Sequence, residues 1–142
     1  HTPDFLTAAG DKAIGVRYTS ADVSPEAFTA AYPAFVKRYQ EMFGEKPING
    51  YHAFAHDGAK LAFEAIKKVA KQDEKGNTYI GRKALRDALF ATKNLQGLGG
   101  TLTCTPYGDC QEFKFAVYQF TAADPKSFDP GKNPKKIFPV KK

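Results

Sequence analysis

The sequence predicts an α/β chain in which the helices outnumber the strands they would need to cover. Tyr51–Lys71 keeps helical periodicity over its whole length without a proline, two more helical stretches flank it, and only about three short segments alternate like strands. An α/β domain normally covers a parallel sheet of several strands with its helices. Three helices over about three strands therefore read as part of larger sheets. With 142 residues, 42% of them hydrophobic, the chain is long and apolar enough for one domain with a core. No run approaches the length of a membrane span. A chain that opens on His1, with no basic-then-apolar leader, reads as mature or fragmentary.

Taken in order, Thr2–Gly10 is a short helical or irregular lead-in with Phe5 and Leu6 as its buried residues. Ala13–Thr19 alternates around Ile14, Val16 and Tyr18 and is expected as a strand, with Gly15 at a bulge or close contact. Ser24-Pro25 is a helix start, an N-cap hydroxyl followed by proline at the first helical position. Pro33 would break a continuous helix there, at a cost of about 3 kcal/mol. The segment therefore divides into a short turn over Pro25–Ala31 and a helix over Pro33–Phe43, with Phe35, Val36, Tyr39 and Phe43 inward and Gly44 as the stop.

Asn49 is placed to cap the central helix. On that helix Tyr51, Phe54, Ala55, Gly58, Ala62, Ala65, Ile66 and Val69 fall on one stripe; Asp57, Lys60, Glu64, Lys67, Lys68 and Lys71 fall on the opposite one. A polar loop, Gln72–Asn77, precedes a third helix over Tyr79–Thr92 that Thr78 caps, with Ala84, Leu85, Ala88 and Leu89 inward. Gln96–Gly100 ends it. Thr101–Cys104 and Glu112–Thr121 then read as strands around the turn Pro106–Asp109, the second with Phe113, Phe115, Val117 and Phe120 in imperfect alternation.

The chemistry-bearing residues are few. His52 and His56 stand four apart, so on a helix they share one face at metal-ligand spacing, with Asp57 beside them. A zincin would carry Glu after its first His, where this chain has Ala53, and a catalytic zinc takes three protein ligands. No third ligand stands nearby, so two helical histidines are the better reading. Gly97–Gly100 precedes a strand rather than opening a helix, so it reads as a turn and not a phosphate loop. Ser20, Ser24 and Ser127 are the only serines, and none belongs to a nucleophile, base and oxyanion set. From Asp124 onward six lysines face two aspartates, which reads as a solvated basic tail rather than a nucleic-acid surface. Cys104 and Cys110 bracket the turn and, in a hairpin, face each other within disulfide reach. A disulfide and two free thiols both fit that placement.

The order of the Ala13–Val16 strand, Phe35…Tyr39…Gly44…Pro47, His56-Asp57-Gly58 in the long helix, Ala88-Leu89, Gly97–Thr103 and Gly108-Asp109 resembles one family. It is similar to the C-terminal portion of the leucine/isoleucine/valine-type substrate-binding proteins of bacterial ABC importers, over nearly all of Ala13–Phe120. The family's usual run in the helix is Tyr-Asp-Ala, and its hairpin commonly carries Phe and Asp where this chain has Cys104 and Thr105.

The resemblance implies a type I periplasmic-binding fold: two lobes, crossed three times by the chain, closing on a ligand like a Venus flytrap. By analogy residues 1–18 hold a strand of the second lobe, 19–114 a helical part of the first lobe with its hairpin, 115–123 a return strand, and 124–142 the basic tail. Thr19, Ser20 and Ala21 would form one hinge, Lys114 and Phe115 another, and Tyr18 would line a cleft or pack at the hinge. Most ligand contacts would lie upstream of His1. The function implied is an extracytoplasmic, non-catalytic solute-binding component, taking a small molecule such as a branched-chain amino acid. Its partners would be a membrane permease and the N-terminal remainder of the same protein, with no cofactor, metal or nucleic acid. An extracytoplasmic setting favours the Cys104–Cys110 disulfide. The rival readings are a small metal-dependent enzyme using His52, His56 and Asp57, a ligand-binding sensory domain of the same fold, and a nucleic-acid binder carried by the lysine tail.

Overall fold

A computed structural model describes residues 2–110, 114–129 and 132–139. The chain forms two compact units, His1–Ala53 with Phe113–Lys142, and Phe54–Glu112.

In the first unit, helix α1 (Asp4–Ala9) has Asp4 in its opening turn, where an acidic side chain suits the helix dipole. Its Leu6 is buried with Ala13 and Phe120, and Ala9, Tyr18 and Phe128 pack around them. A 3₁₀ turn, Gly10–Ala13, follows. The strand expected from Ala13 begins later, as β1 (Arg17–Ala21). Ala13 is consumed by the turn, Val16 N–H returns to Ala13 O, and Gly15 lies at φ 86°, so Ile14 and Val16 stay exposed.

β1 pairs antiparallel with β6 (Phe115–Gln119), and β6 pairs on its other side with β7 (Lys135–Phe138). The expected inward series fails at Phe115 and Val117 and holds at Phe120. Ala116, Tyr118 and Phe120 form the buried series, whereas Phe115 is 70% exposed; Phe113, and the first residues of that expected strand, lie outside the described residues. The lysine-rich end is not a solvated tail throughout, because β7 completes the sheet, with a register shift between Val117 and Tyr118. Lys141 and Lys142 lie outside the described residues. Buried Asn133 ties the approach to β7 down. Its Oδ1 accepts the Thr121 and Ala122 N–H groups at 2.9 and 3.3 Å, and its Nδ2 donates to Ala122 O and Ser127 Oγ.

After β1 the helix expected over Pro25–Ala31 shrinks to a 3₁₀ turn, Pro25–Ala27, and Ser24 makes no cap bond because its hydroxyl is bonded to Asp22. Helix α2 (Tyr32–Phe43) holds Pro33 in its first turn, where no intrahelical N–H is lost, and stops at Gly44, φ 78°. Phe28, Tyr32, Phe35, Tyr39 and Phe43 form a run of neighbouring rings along it, although Phe43 itself is largely exposed. Helix α3 (Tyr51–Val69) opens with Asn49 Oδ1 accepting the Tyr51 N–H at 3.0 Å, the cap its sequence position predicts. A Cβ on Gly50 would sit 2.6 Å from the Phe28 ring and 2.9 Å from Val23 O, so the entry to α3 needs a glycine.

In the second unit α3 runs on to Val69. The residues that α3 buries outright are Ala53 in the first unit and Asp57 and Ala65 in the second; of the expected stripe Ala65 is buried and Phe54, Ala62, Ile66 and Val69 half-buried, whereas Ala55 and Gly58 are exposed. A hairpin of β2 (Lys71–Gln72) and β3 (Thr78–Tyr79) takes the residues expected to start the third helix. Asp73 organises it, accepting the Lys75 and Asn77 N–H groups, Asn77 Nδ2 and Tyr79 OH, all at 2.9–3.0 Å. Helix α4 (Arg82–Phe90) therefore starts three residues later than expected, and Leu85, Ala88 and Leu89 are half-buried on it while Ala84 is exposed. A second hairpin joins β4 (Leu95–Gln96) to β5 (Thr101–Leu102), closed by Gly97 N–H on Gly100 O at 2.8 Å.

Candidate functional site

The β1–β6 pair brings the two inferred hinge segments together. Ala21 lies opposite Phe115 and Ser20 opposite Ala116, and Asp22 N–H continues the ladder onto Lys114 O at 2.6 Å. Both segments thus leave the sheet at one point. Ser20 Oγ also shares a 2.9 Å hydrogen bond with Tyr51 OH at the start of α3. Tyr18 sits three residues back along β1 from Ala21, half-buried in a stack with Tyr118 and Phe120 at 5.8 and 5.5 Å. Burial, then the neighbouring Tyr118 and Tyr51 phenols, raise its hydroxyl well above the ordinary range.

Just beyond β1, Asp22 is the hub of a polar network that the sequence did not single out. Its carboxylate is only 6% exposed. Oδ2 accepts Lys136 Nζ at 2.5 Å; Oδ1 accepts the Ser24 hydroxyl at 2.5 Å, the Ser24 N–H at 3.2 Å and Tyr118 OH at 3.1 Å. Burial alone would raise this carboxyl, but the hydrogen bonds from Lys136 and Ser24 and the lysine charge outweigh it and hold the group below its usual range. Tyr118, fully buried, has its phenol pushed up to about 12 by burial and by the Asp22 carboxylate. The same hydroxyl accepts the Val23 N–H at 3.0 Å. A stretch of alternating small and polar residues, Ser20–Ser24, gives no periodic signal from which such a hub could be found.

The second unit holds a different carboxylate site. Asp57, assigned by periodicity to the polar side of the long helix, has a side chain only 1% exposed. Its Oδ1 accepts the Leu98 N–H at 2.7 Å and its Oδ2 the Gly99 N–H at 2.8 Å. The turn Gly97–Gly100 wraps the carboxylate so closely that a Cβ on Gly97 would collide with Asp57 and lie 2.6 Å from Leu102. The glycine run that resembles no phosphate loop is thus a cradle for an internal anion. Lys60 Nζ donates to Gln96 O beside it.

The residues of the metal reading have other partners here. His56 Nδ1 lies 3.1 Å from Asp57 Oδ1, whose oxygens already serve the two turn amides. His52 Nδ1 contacts Asn49 O at 3.2 Å, with its ring edge-on to Tyr39. Among the described residues no group of three or more His, Cys, Asp or Glu is placed to hold a metal. Cys104 and Cys110 are joined in a disulfide that closes the turn Thr105–Asp109, where Thr105 N–H also donates to Asp109 O at 2.7 Å. No helix among the described residues is long and apolar enough to cross a membrane.

The described residues form a mixed α/β chain with small antiparallel sheets. Residues 1–124 match the family model described as Periplasmic binding protein, and the chain belongs to that family. It is similar in fold to a leucine binding protein, LivK, from Thermotoga maritima, at 20% identity and TM-score 0.63, covering 85% of this chain and 32% of that one. An extracellular ligand-binding receptor from Rhodopseudomonas palustris HaA2 gives 21% identity and TM-score 0.58, over 87% and 36% of the two chains. A protein described as a branched-chain amino acid ABC transporter from Rhodospirillum rubrum gives 22% and 0.51, over 87% and 33%. The chain spans about a third of the length of each of these structures. A comparison with curated proteins gives no match.

Proposed function

We propose that this chain is the C-terminal portion of an extracytoplasmic solute-binding protein serving an ABC importer, and that its ligand is a small amino acid of the branched-chain type. The observation that carries the reading is the family match over residues 1–124, on a chain whose two crossing segments lie side by side at the end of one strand pair. Thr19, Ser20, Ala21, Lys114 and Phe115 act as hinge, absorbing the backbone change as two lobes close, and Tyr18, next to the hinge on β1, lines the cleft or packs there. The ligand class is taken from the leucine and branched-chain amino acid names of the similar structures. The remainder of the protein supplies most ligand contacts, and a membrane permease receives the closed form.

Calorimetric titration of the complete protein with leucine, isoleucine, valine and a panel of amides and aromatic carboxylates tests this. Saturable binding of one aliphatic amino acid, with a negative heat-capacity change from apolar burial, is the expected result. Binding confined to another compound class would reassign the ligand; binding of none of the panel would remove the amino-acid reading.

A further inference from the structure

We propose that Lys136 acts as a latch on the hinge: the last strand supplies a buried ammonium that fastens the segment leaving β1 and so restrains both chain crossings. The inference rests on the hinge reading above. The segment Asp22–Ala27 is held by two lysines from separate stretches of chain. Lys136, on β7, reaches Asp22 Oδ2 at 2.5 Å and Ser24 Oγ at 3.4 Å. Lys114, the residue before β6, donates to Ala27 O at 3.1 Å while its own carbonyl takes the Asp22 N–H. Movement of either crossing must therefore disturb the same segment.

Two details separate a latch from ordinary packing. Lys136 is only 13% exposed on its side chain, so separating it from Asp22 leaves a largely buried charge to be solvated anew. A second carboxylate of the same segment, Glu26, is paired with the same ammonium at 3.8 Å and is much more exposed, so two acids of that segment share one lysine. Asp22 and Glu26 thus fasten one segment to one bolt. The bolt also stands beyond residue 124, where the family match ends, so the restraint belongs to this chain's own C-terminal strand.

Hydrogen exchange on the ligand-free full chain tests the latch, with Lys136→Met removing the charge at similar length and Lys136→Arg keeping it. The Met variant is expected to speed exchange of the Asp22, Val23 and Ser24 amides at least ~10-fold, with the Arg variant near wild type and the Thr19 and Gln119 amides unchanged. Asp22→Asn, which removes the charge from the other side, should give the same local rise if the Met variant does not fold. Unchanged exchange at 22–24, or an equal rise along all of β1, would overturn the proposal. Because no ligand is used, this result stands apart from the binding titration, whose failure would overturn the solute-binding reading instead.

Discussion

Asp57 carries the clearest residue-scale consequence of the structure. A buried carboxylate is tolerable only when its lone pairs are met, and here two backbone amides of one tight turn meet them. Replacing it with alanine leaves the buried Leu98 N–H and the half-buried Gly99 N–H without an acceptor, at about 1–3 kcal/mol each. Asp57→Ala should therefore destabilise by roughly 3 kcal/mol or more in denaturant titration, with the Leu98 and Gly99 amides losing exchange protection first. His56→Ala removes a neighbour whose side chain is 43% exposed, and should cost clearly less. Equal losses for the two variants would mean that the histidine, not the amide cradle, sustains the carboxylate. The sequence could not reveal this role. Helical periodicity ranks positions by apolarity, so a buried acid is assigned to the solvent side whenever its partners come from a distant turn. The glycines of that turn were visible as a break, but the anion they enclose was not.

At the scale of elements, the legible features were those with local causes. Gly44 stops α2 in the left-handed region, Asn49 caps α3, Pro33 sits in a first turn, and Cys104 and Cys110 meet across their turn. Strand limits and phases were not local. Whether the even or odd residues of β6 face inward is decided by what lies on each side of it, and Tyr118 is buried where Phe115 is exposed and Val117 only half-buried. β7 was hidden because its lysines mask a strand whose one buried ammonium is neutralised by Asp22. The β1–β6 face then has its own pH dependence. Tyr118 titrates at about 12 in the folded chain and near the ordinary ~10 when unfolded. A raised folded value means that the stabilising contribution is complete below ~10 and is lost as pH rises through about 12. Stability should accordingly be flat to pH ~10 and fall steeply across the next two units, with Tyr18 acting in the same direction. Tyr118→Phe should reduce that alkaline slope; an unchanged slope would place the effect elsewhere.

For the molecule as a whole, the excess of helix over strand was the informative imbalance, and it agrees with a chain spanning about a third of the structures it resembles. Each unit keeps surface that a self-sufficient domain would bury. In the first unit Met42, Phe43 and Ile48 are exposed, and β1 and β7 both lie at edges of the sheet. In the second, Phe63 is 62% exposed on α3, and Tyr79 and Phe90 are also uncovered. Exposed apolar surface at ~25 cal/mol per Å² and sheet edges that offer backbone groups both favour association. The net charge of +6 opposes it over a screening length that shrinks to ~8 Å at physiological salt. At close contact the apolar term therefore wins as salt is raised. Produced as these 142 residues alone, the chain should sediment as species above 15.6 kDa, increasingly so with concentration and salt. Replacing Phe63 with a lysine should shift the distribution back toward the monomer without unfolding the chain. A sharp 15.6 kDa boundary at all concentrations and salts would show that these faces are satisfied within one copy.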